Sequence, residues 1–433
     1  MTEESTLVRA GWDGFDLTSA DEDVAVESEV RLYCRDFPVT FGRAHGSTIV
    51  STDGREYVDL LCGAGALNLG HNHPALRAAV VSYLLDDGLV HALDMHTAVK
   101  ADFLRAIQEV LLAPRGLDHR VQFCGPTGAN AVEAALKLAR RVTGRTGIVA
   151  FSGGFHGMSL GALSVSARMS GAASGGVAVA GTMFVPYPDG PGGAFDTVGY
   201  LARQFADPSS GLGLPAAVIV ESVQMDGGVY VLPPPALREL ADLCARHEVL
   251  LILDEIQTGC GRTGTYFGFE PAGVVPDLIT VSKSISGIGL PLSLLLLRPA
   301  LDIWRPGEHT GTFRANQLAL VGAVAGLRLF QEPGFVQRAA EIADLLQRRA
   351  RIGARRNDGL QARGRGAVAG LDFAQCGGVV RATAVQQRCF ERGVIFELCG
   401  RGDTVVKLMP ALTIEPDDLE RALSVVDDEL ART

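Results

Sequence analysis

The chain has 433 residues, 47% of them hydrophobic, with 39 Lys plus Arg against 49 Asp plus Glu and a formal net charge of −10. The hydrophobic content excludes an intrinsically disordered chain, which combines low hydrophobicity with high net charge. The acidic balance argues against nucleic acid as a main partner, because phosphate contacts need concentrated Lys and Arg. At about 150 residues per domain, the length predicts two or three domains, or one large α/β domain with a smaller companion.

The sequence contains no predicted membrane span or signal peptide. Its most apolar stretch, residues 288–297, includes Gly289 and Pro291 and is far shorter than the about 20 residues that a transmembrane helix needs. The acidic N-terminus lacks the basic and apolar regions of a signal peptide. The eight cysteines form no C-x-x-C pair. We therefore expect a cytoplasmic protein without a membrane partner or a disulfide framework.

Strand and helix patterns begin near residue 48. Residues 48–50 and 57–60 predict two short strands separated by an Asp-Gly turn. A helix is predicted over 129–141, where alanines accompany apolar residues at a spacing of three to four. Four short apolar runs predict buried parallel strands over 148–151, 217–220, 249–253 and 278–281, with a helical pattern over 235–247.

This alternation predicts an α/β fold with an open, mostly parallel sheet and helices on both faces. After about residue 328 the pattern changes. Strands are predicted near 368–373, 393–397 and 404–408, and an amphipathic helix begins near Pro416. We therefore divide the chain into an N-terminal segment (1–72) that contributes to a small domain, a large domain (73–328) and a C-terminal small α+β domain (329–433).

Polar residues follow three of the predicted parallel strands. Glu221 and Asp254 each come directly after an apolar run, and Lys283 is the second residue after another. Ligands of open α/β sheets bind outside the carboxyl ends of the strands. Any one of these residues could be an ordinary polar residue at a strand end. Two acidic residues and a lysine together fit one cofactor site.

Pyridoxal phosphate chemistry needs these groups. A lysine forms a Schiff base with the aldehyde, and a carboxylate keeps the pyridine nitrogen protonated. Small residues at a helix N-terminus hold the phosphate. The loop 125–130, directly before the predicted helix, supplies that part, and Thr127 adds a hydroxyl. The sequence therefore predicts pyridoxal 5′-phosphate as the cofactor and 73–328 as the domain that binds it.

Six motifs carry a resemblance to a known family. They are GPTGANAVEAALKLAR (125–140), FSGGFHGMS (151–159), ESVQMDGG (221–228), LILDEIQTGCGRTG (251–264), SKSISG (282–287) and HTGTFRANQLA (309–319). With them the chain resembles the class III (ω-amino) aminotransferases of fold type I along nearly its full length. Within this family it looks most like the diaminobutyrate aminotransferases, including those of the ectoine pathway. The resemblance also implies a homodimer.

Carried over by position, the resemblance implies a role for each matching residue. Lys283 forms the Schiff base and moves the proton between substrate and cofactor, and Asp254 pairs with the pyridinium nitrogen. Further cofactor contacts are implied for Gln257 at the ring hydroxyl, Ile256 and Phe155 on the two ring faces, His156 and Glu221 beside them, Thr127, Gly128 and Ala129 at the phosphate, and Thr312 at the phosphate of the neighbouring subunit.

Several positions near the predicted substrate depart from the family pattern. Lys407 stands where an arginine commonly grips the substrate carboxylate, without the bidentate fork of arginine. Asp226 stands where a glutamate forms a switchable salt bridge with that arginine. We expect Asp226 and Lys407 to bind substrate and to serve as the same charge switch. Met225, Ala129 and Ala315 are further departures close to the site.

The resemblance implies a ping-pong transamination. L-Glutamate donates its amino group and leaves as 2-oxoglutarate, and L-aspartate β-semialdehyde accepts it to give L-2,4-diaminobutyrate. Three alternatives stay open: an ω-aminotransferase for another diamine or semialdehyde in a specialised biosynthetic pathway, an aminomutase, decarboxylase or racemase on the same scaffold, and a non-enzymatic cofactor-binding protein. The pair His71 and His73 lacks a third ligand nearby, so no metal site is predicted.

Overall fold

The structure is a computed structural model that describes residues 27–167, 181–191, 193 and 195–432. Residues 1–26 of the predicted N-terminal segment lie outside the described residues. Within the described ranges, no helix combines the length and the apolar character that a bilayer crossing requires.

Strands and helices are numbered in chain order. The strands are β1 (Phe41–His45), β2 (Thr48–Ser51), β3 (Glu56–Asp59), β4 (Arg120–Phe123), β5 (Ile148–Phe151), β6 (Thr182–Val185), β7 (Ala217–Glu221), β8 (Val223–Gln224), β9 (Tyr230–Val231), β10 (Leu250–Asp254), β11 (Leu278–Val281), β12 (Leu294–Leu297), β13 (Gln361–Gly364), β14 (Ala369–Asp372), β15 (Val394–Ile395), β16 (Glu397–Cys399) and β17 (Val405–Leu408). The longer helices are α1 (Pro74–Leu85), α2 (Ala98–Ala106), α3 (Gly128–Thr143), α4 (Thr197–Ala206), α5 (Pro234–Arg246), α6 (Gln317–Leu329), α7 (Pro333–Arg356), α8 (Gly378–Glu391) and α9 (Pro416–Arg432).

Shorter helical turns connect these elements. They are Tyr33–Asp36, Cys62–Gly65, Ile107–Leu112, Ala113–Arg115, Leu160–Ser164, Glu270–Ala272, Lys283–Ser286, Pro299–Leu301 and Arg401–Asp403.

The central sheet has the strand order β4-β12-β11-β10-β7-β5-β6. The four predicted strands β5, β7, β10 and β11 pair in parallel, whereas β12 is antiparallel to both β11 and β4. The predicted mostly parallel sheet is therefore confirmed. The sequence patterns missed β4 and β6, which are only partly buried strands at the sheet edges, and β12, which follows directly after a Gly- and Pro-containing segment.

Both faces of this sheet are covered. Along β10, Leu251 and Leu253 pack into one core, and Ile252 packs into another on the opposite face. Successive side chains of a strand point to opposite faces, so a strand between two cores is apolar at every position. This burial explains the continuous apolar runs of the parallel strands.

Two smaller sheets lie outside the central one, with the orders β13-β14-β17-β16 and β1-β2-β3-β15. β3 pairs in parallel with β15, and Val58 and Leu60 share a core with residues from α7, α8 and α9. The single strand predicted over 393–397 is wrong. The chain changes sheets at the buried Phe396, so that β15 extends the N-terminal sheet and β16 pairs with β17. The exact domain boundaries stay a prediction.

A fully buried arginine joins three distant segments. Arg262 donates hydrogen bonds to the side-chain oxygen of Asn68 at 2.6 Å and to the carbonyl oxygens of Ala367 at 2.8 Å and Pro410 at 2.5 Å. Burial of these polar atoms is tolerated because each has a partner. The guanidinium therefore ties the N-terminal and C-terminal regions to the segment that follows β10.

We expect Arg262→Met to lower the free energy of unfolding by about 3 kcal/mol, because it leaves several buried oxygen atoms without a donor. Urea denaturation of the purified protein measures this change. The matched control is Arg348→Met on the exposed side of α7, which should stay within about 0.5 kcal/mol of wild type. Equal stability of the two variants would contradict the joining role of Arg262.

Candidate active site

A cavity of about 400 Å³ lies at the carboxyl edge of the central sheet. It is lined by almost all of the residues that the sequence predicts for the cofactor, together with Asp226. These are Thr127, Gly128, Ala129, Phe155, His156, Glu221, Asp254, Ile256, Gln257 and Lys283.

Strand register brings the acids and the lysine together. Asp254, the last residue of β10, lies opposite Glu221 of β7 on one side and Thr280 of β11 on the other. Lys283 follows two residues after β11 and opens a short helical turn with a φ of 51°. Three neighbouring parallel strands therefore deliver an amine and two carboxylates to one end of the sheet.

Asp254 is buried and held from several sides. One carboxylate oxygen lies 2.6 Å from Nδ1 of His156, and the other accepts hydrogen bonds from the hydroxyl of Thr280 at 3.0 Å and the backbone N–H of Ile256 at 3.1 Å. Burial disfavours the charged imidazole, but the hydrogen bond and charge of Asp254 outweigh it and raise the pKa of His156. His156 is thus a partner of Asp254 rather than an unconnected loop residue.

Glu221 organises the loop that carries Phe155. Its carboxylate accepts hydrogen bonds from the backbone N–H groups of Phe155 at 3.0 Å and Met225 at 3.3 Å. Burial raises the pKa of this carboxyl to about 8; the charge of His156 lowers it and that of Asp254 raises it. A carboxyl of this kind takes up a proton near neutral pH.

Lys283 is the candidate for the reactive amine, and its pKa is lowered rather than raised. Burial lowers the pKa of Lys283 below its ordinary value, although Asp226 and other nearby carboxylates favour the charged form. A lower pKa increases the fraction of neutral amine, which is the nucleophilic form. Gln257 lies beside this amine in the cavity, and its Nε2 donates to the carbonyl oxygen of Ala64 at 2.6 Å.

The N-terminus of α3 opens into the same cavity. Thr127 precedes the helix, and its backbone N–H and hydroxyl both donate to Oδ1 of Asn130. A Cβ on Gly128 would come within 2.8 Å of Ile256. Only glycine allows this approach of the helix N-terminus to Ile256, and free N–H groups in a first helical turn form an anion site.

Lys407 and Asp226 meet as the sequence predicts. Nζ of the fully buried Lys407 donates to Oδ1 of Asp226 at 2.7 Å. A second carboxylate, Glu397, lies 2.9 Å from the same Nζ. Burial opposes the charge of Lys407, but the two carboxylates outweigh it and raise its pKa well above the ordinary value. Sequence reasoning missed Glu397, although it precedes Lys407 by only ten positions in a region predicted to form strands.

Two departures from the family pattern lie away from the cavity. Met225 is fully buried and packs with Val223 and Val229, so its bulk fills a core instead of narrowing the cavity. Ala315 is buried with a φ of 51°. Thr312 is also outside the cavity, in an exposed loop, where its carbonyl oxygen lies 2.9 Å from Nε2 of His91.

Known proteins resemble this chain in sequence and in fold. Residues 33–430 match the family model for aminotransferase class-III. The chain belongs to the class-III aminotransferases. It is 48% identical over 411 residues to the diaminobutyrate–2-oxoglutarate transaminase of Bordetella parapertussis, which covers 94% of each chain. It is also 48% identical over 402 residues to the Streptomyces avermitilis protein of that name, covering 92% of this chain and 94% of the relative.

Solved structures agree with this assignment. An ornithine aminotransferase from Toxoplasma gondii matches with a TM-score of 0.80 and 27% identity over 91% of each chain. The predicted fold class, the class-III family and the likeness to its diaminobutyrate branch are therefore confirmed.

This class-III aminotransferase uses pyridoxal 5′-phosphate, as the sequence predicts. The cavity fits that cofactor in three respects. It joins a helix N-terminus for the phosphate, a buried carboxylate for the ring nitrogen and a lysine of lowered pKa for the aldehyde. Pyridoxal phosphate needs all three groups within one enclosed space, and this aminotransferase has them.

The raised pKa of Glu221 predicts a pH dependence of stability. The folded apoenzyme keeps this proton up to about pH 8, whereas the unfolded chain loses it near 4.5. The contribution of Glu221 to the free energy of unfolding therefore falls as pH rises between these values.

We expect Glu221→Gln, which does not titrate, to gain stability relative to wild type from pH 5 to pH 8. Urea denaturation of both apoenzymes across this range measures the difference. Glu239→Gln, on the exposed side of α5, is the control and should follow the wild type. If the free energy of unfolding changed equally with pH in wild type and Glu221→Gln, the raised pKa of Glu221 would be contradicted.

Proposed function

We propose that this aminotransferase moves the amino group of L-glutamate to L-aspartate β-semialdehyde, giving 2-oxoglutarate and L-2,4-diaminobutyrate. The observation that supports this most is the buried ion pair of Lys407 and Asp226 beside Lys283, in a chain 48% identical to diaminobutyrate–2-oxoglutarate transaminases. One site must accept two unlike substrates in turn, and a displaceable ion pair allows that.

We assign the cofactor contacts as follows. Pyridoxal phosphate, when bound, supplies an aldehyde that takes up the amino group and a ring that accepts electrons. Asp254, fixed by His156 and Thr280, keeps the ring nitrogen protonated. Phe155 and Ile256 cover the two ring faces. The remaining contacts are Gln257 at the ring hydroxyl, Glu221 beside Phe155, and Thr127, Gly128 and Ala129 at the phosphate.

Lys283 acts as attachment point and as base. Its Nζ would attach the aldehyde of the bound cofactor. As a neutral amine, the same Nζ would take the proton from the substrate carbon that bears the amino group. The burial that lowers the pKa of Lys283 supports this role, because a base must be neutral at the working pH.

Asp226 and Lys407 serve as the charge switch in this proposal. In the structure Asp226 covers Lys407, and this state suits a substrate that enters with its terminal amine or aldehyde. L-Glutamate brings a carboxylate beside its reacting carbon, and that carboxylate replaces Asp226 on Lys407. An ammonium group contacts a carboxylate without the fork geometry of arginine, so the exchange depends on charge more than on shape.

A second cavity of about 340 Å³ supports a diamino substrate. It shares Phe155, Asp226, Gln257 and Lys283 with the cofactor cavity, and Asp36, Glu397 and Asp403 add three more carboxyl groups. Burial, together with the charges of Asp403 and Glu397, raises the pKa of Asp36. Because Glu397 pairs with Lys407, Asp36 and Asp403 are the carboxyl groups of this wall that favour a substrate with an ammonium group at its far end.

Another diamine or semialdehyde is the alternative within the same chemistry, because the acidic wall would suit other ammonium-bearing substrates. Family membership favours amino transfer over an aminomutase, decarboxylase or racemase, and the complete lysine and carboxylate set disfavours a non-enzymatic protein.

We also propose a homodimer in which Thr312 reaches the phosphate of the neighbouring subunit. The exposure of its loop supports this, since Phe313 beside it is 68% exposed. A cytoplasmic location stays a prediction.

Lys283→Ala should remove the visible absorbance of the attached cofactor and lower turnover by about a thousandfold or more, since both the attachment and the base are lost. Absorption spectra and steady-state rates measure the two effects. Lys137→Ala, at an exposed position of α3, is the control and should keep both properties. Turnover that survives in Lys283→Ala would overturn the site assignment.

A half-reaction screen tests the substrates. The cofactor-loaded enzyme is mixed singly with L-glutamate, L-2,4-diaminobutyrate, L-ornithine and 4-aminobutyrate, and the loss of visible absorbance and the keto product are recorded. We expect L-glutamate and L-2,4-diaminobutyrate to react and the other two to react at least tenfold more slowly. Reaction with a different diamine in place of L-2,4-diaminobutyrate would favour the alternative.

A further inference from the structure

The two carboxylates on Lys407 come from different kinds of structure. Glu397 of β16 is the direct cross-strand partner of Lys407 of β17. Opposite residues on one face of an antiparallel pair hold their Cβ atoms about 5 Å apart. The backbone of the small domain therefore fixes Glu397 beside Lys407, whatever occupies the cavity.

A third residue holds Glu397 in place. Its Oε1 faces Nζ of Lys407 at 2.9 Å, and its Oε2 accepts a hydrogen bond from the hydroxyl of Tyr33 at 3.1 Å. Oε2 is thus hydrogen-bonded, Oε1 makes an ion pair without a hydrogen bond, and the glutamate side chain is 11% exposed. Rotation of this carboxylate would break both contacts at once.

Asp226 is placed differently. It lies in the turn between β8 and β9, directly before Gly227 and Gly228, and its side chain lines both cavities that contain Lys283. Both carboxylates border the second cavity, but only Asp226 also borders the cofactor cavity. One counter-ion of Lys407 therefore lies on a strand, and the other faces the cofactor cavity from a turn.

We propose that Glu397 is a positioning residue for transamination: it is the fixed counter-ion of Lys407 that allows Asp226 to leave and a substrate carboxylate to enter. This inference rests on the proposed charge switch and adds the counter-ion that stays with Lys407 when Asp226 moves.

Charge compensation is the physical reason. Removing the partner of a fully buried ion is strongly destabilising. With Asp226 as sole partner, Lys407 would be uncompensated whenever Asp226 moved, and the switch would stay closed. With Glu397 in place, Lys407 keeps one carboxylate partner throughout. When Asp226 moves away, the incoming substrate carboxylate replaces its negative charge. Glu397 also limits the motion of the flexible Lys407 side chain.

The test compares two half-reactions of the cofactor-loaded Glu397→Gln enzyme, which keeps the shape and loses the charge. We expect the second-order rate constant with L-glutamate to fall at least tenfold more than that with L-2,4-diaminobutyrate, because only glutamate needs Asp226 to move. Tyr33→Phe frees one oxygen of Glu397 and should shift the same ratio about two- to fivefold. The Tyr33→Phe variant keeps the test decisive if Glu397→Gln folds poorly.

Two controls separate positioning from general damage. Glu429→Gln removes another buried carboxylate of the small domain, which pairs with Arg392 at 2.7 Å, and it should leave the ratio of the two rate constants unchanged. In an Asp226→Asn background the switch is already disabled, so adding Glu397→Gln should change the ratio by less than twofold. A tenfold selective loss in that background would mean that Glu397 acts directly on substrate, and would overturn the proposal.

Other outcomes are equally distinct. Equal losses in both half-reactions of Glu397→Gln, or faster reaction with glutamate, would overturn the positioning role while leaving the proposed function intact. If wild type reacts with glutamate but not with L-2,4-diaminobutyrate, the proposed acceptor fails. The ratio is then measured with whichever terminal amine reacts. If wild type does not react with glutamate, both proposals fail.

Discussion

The parallel pairing of β7, β10 and β11 is the constraint on which the site depends. Parallel neighbours in register end at the same edge of the sheet, so Glu221, Asp254 and the residues after Val281 are delivered together. The apolar cores on both faces of β10 hold this register, since a slip of one residue would exchange the two faces. The positions of these groups are thus set by the packing of the apolar strands that precede them.

Burial gives these groups their chemical properties. It raises the pKa of Glu221 and lowers that of Lys283, and at His156 it opposes the hydrogen bond and charge of Asp254, which raise the pKa. Every such charge needs a partner, because an isolated buried ion is costly. The same requirement explains why Arg262 is surrounded by oxygen atoms and why Lys407 has two carboxylates.

The two carboxylates on Lys407 connect the fold to substrate choice. Asp226 lies in the turn between β8 and β9 and lines the cavity with Lys283, whereas Glu397 and Lys407 belong to one four-stranded sheet. In the proposed switch, a cation held between two acids responds to substrate charge without movement of the sheet. The two ion pairs give Lys407 a defined position.

The sequence by itself determined the central parallel strands and the helix that begins after Thr127, and the family resemblance implied the pairing of Asp226 with Lys407. Local signals predicted these features: continuous apolar runs, small residues before a helix, and the family motifs. Such signals can be identified without knowing which segments of the chain pack together. Only the tertiary structure decided that the chain changes sheets at Phe396, that His156 contacts Asp254, that Glu397 pairs with Lys407, and that Tyr33 donates to Glu397. These contacts depend on which strands pair and in what register, and residues as far apart as Tyr33 and Glu397 carry no local pattern that predicts their meeting.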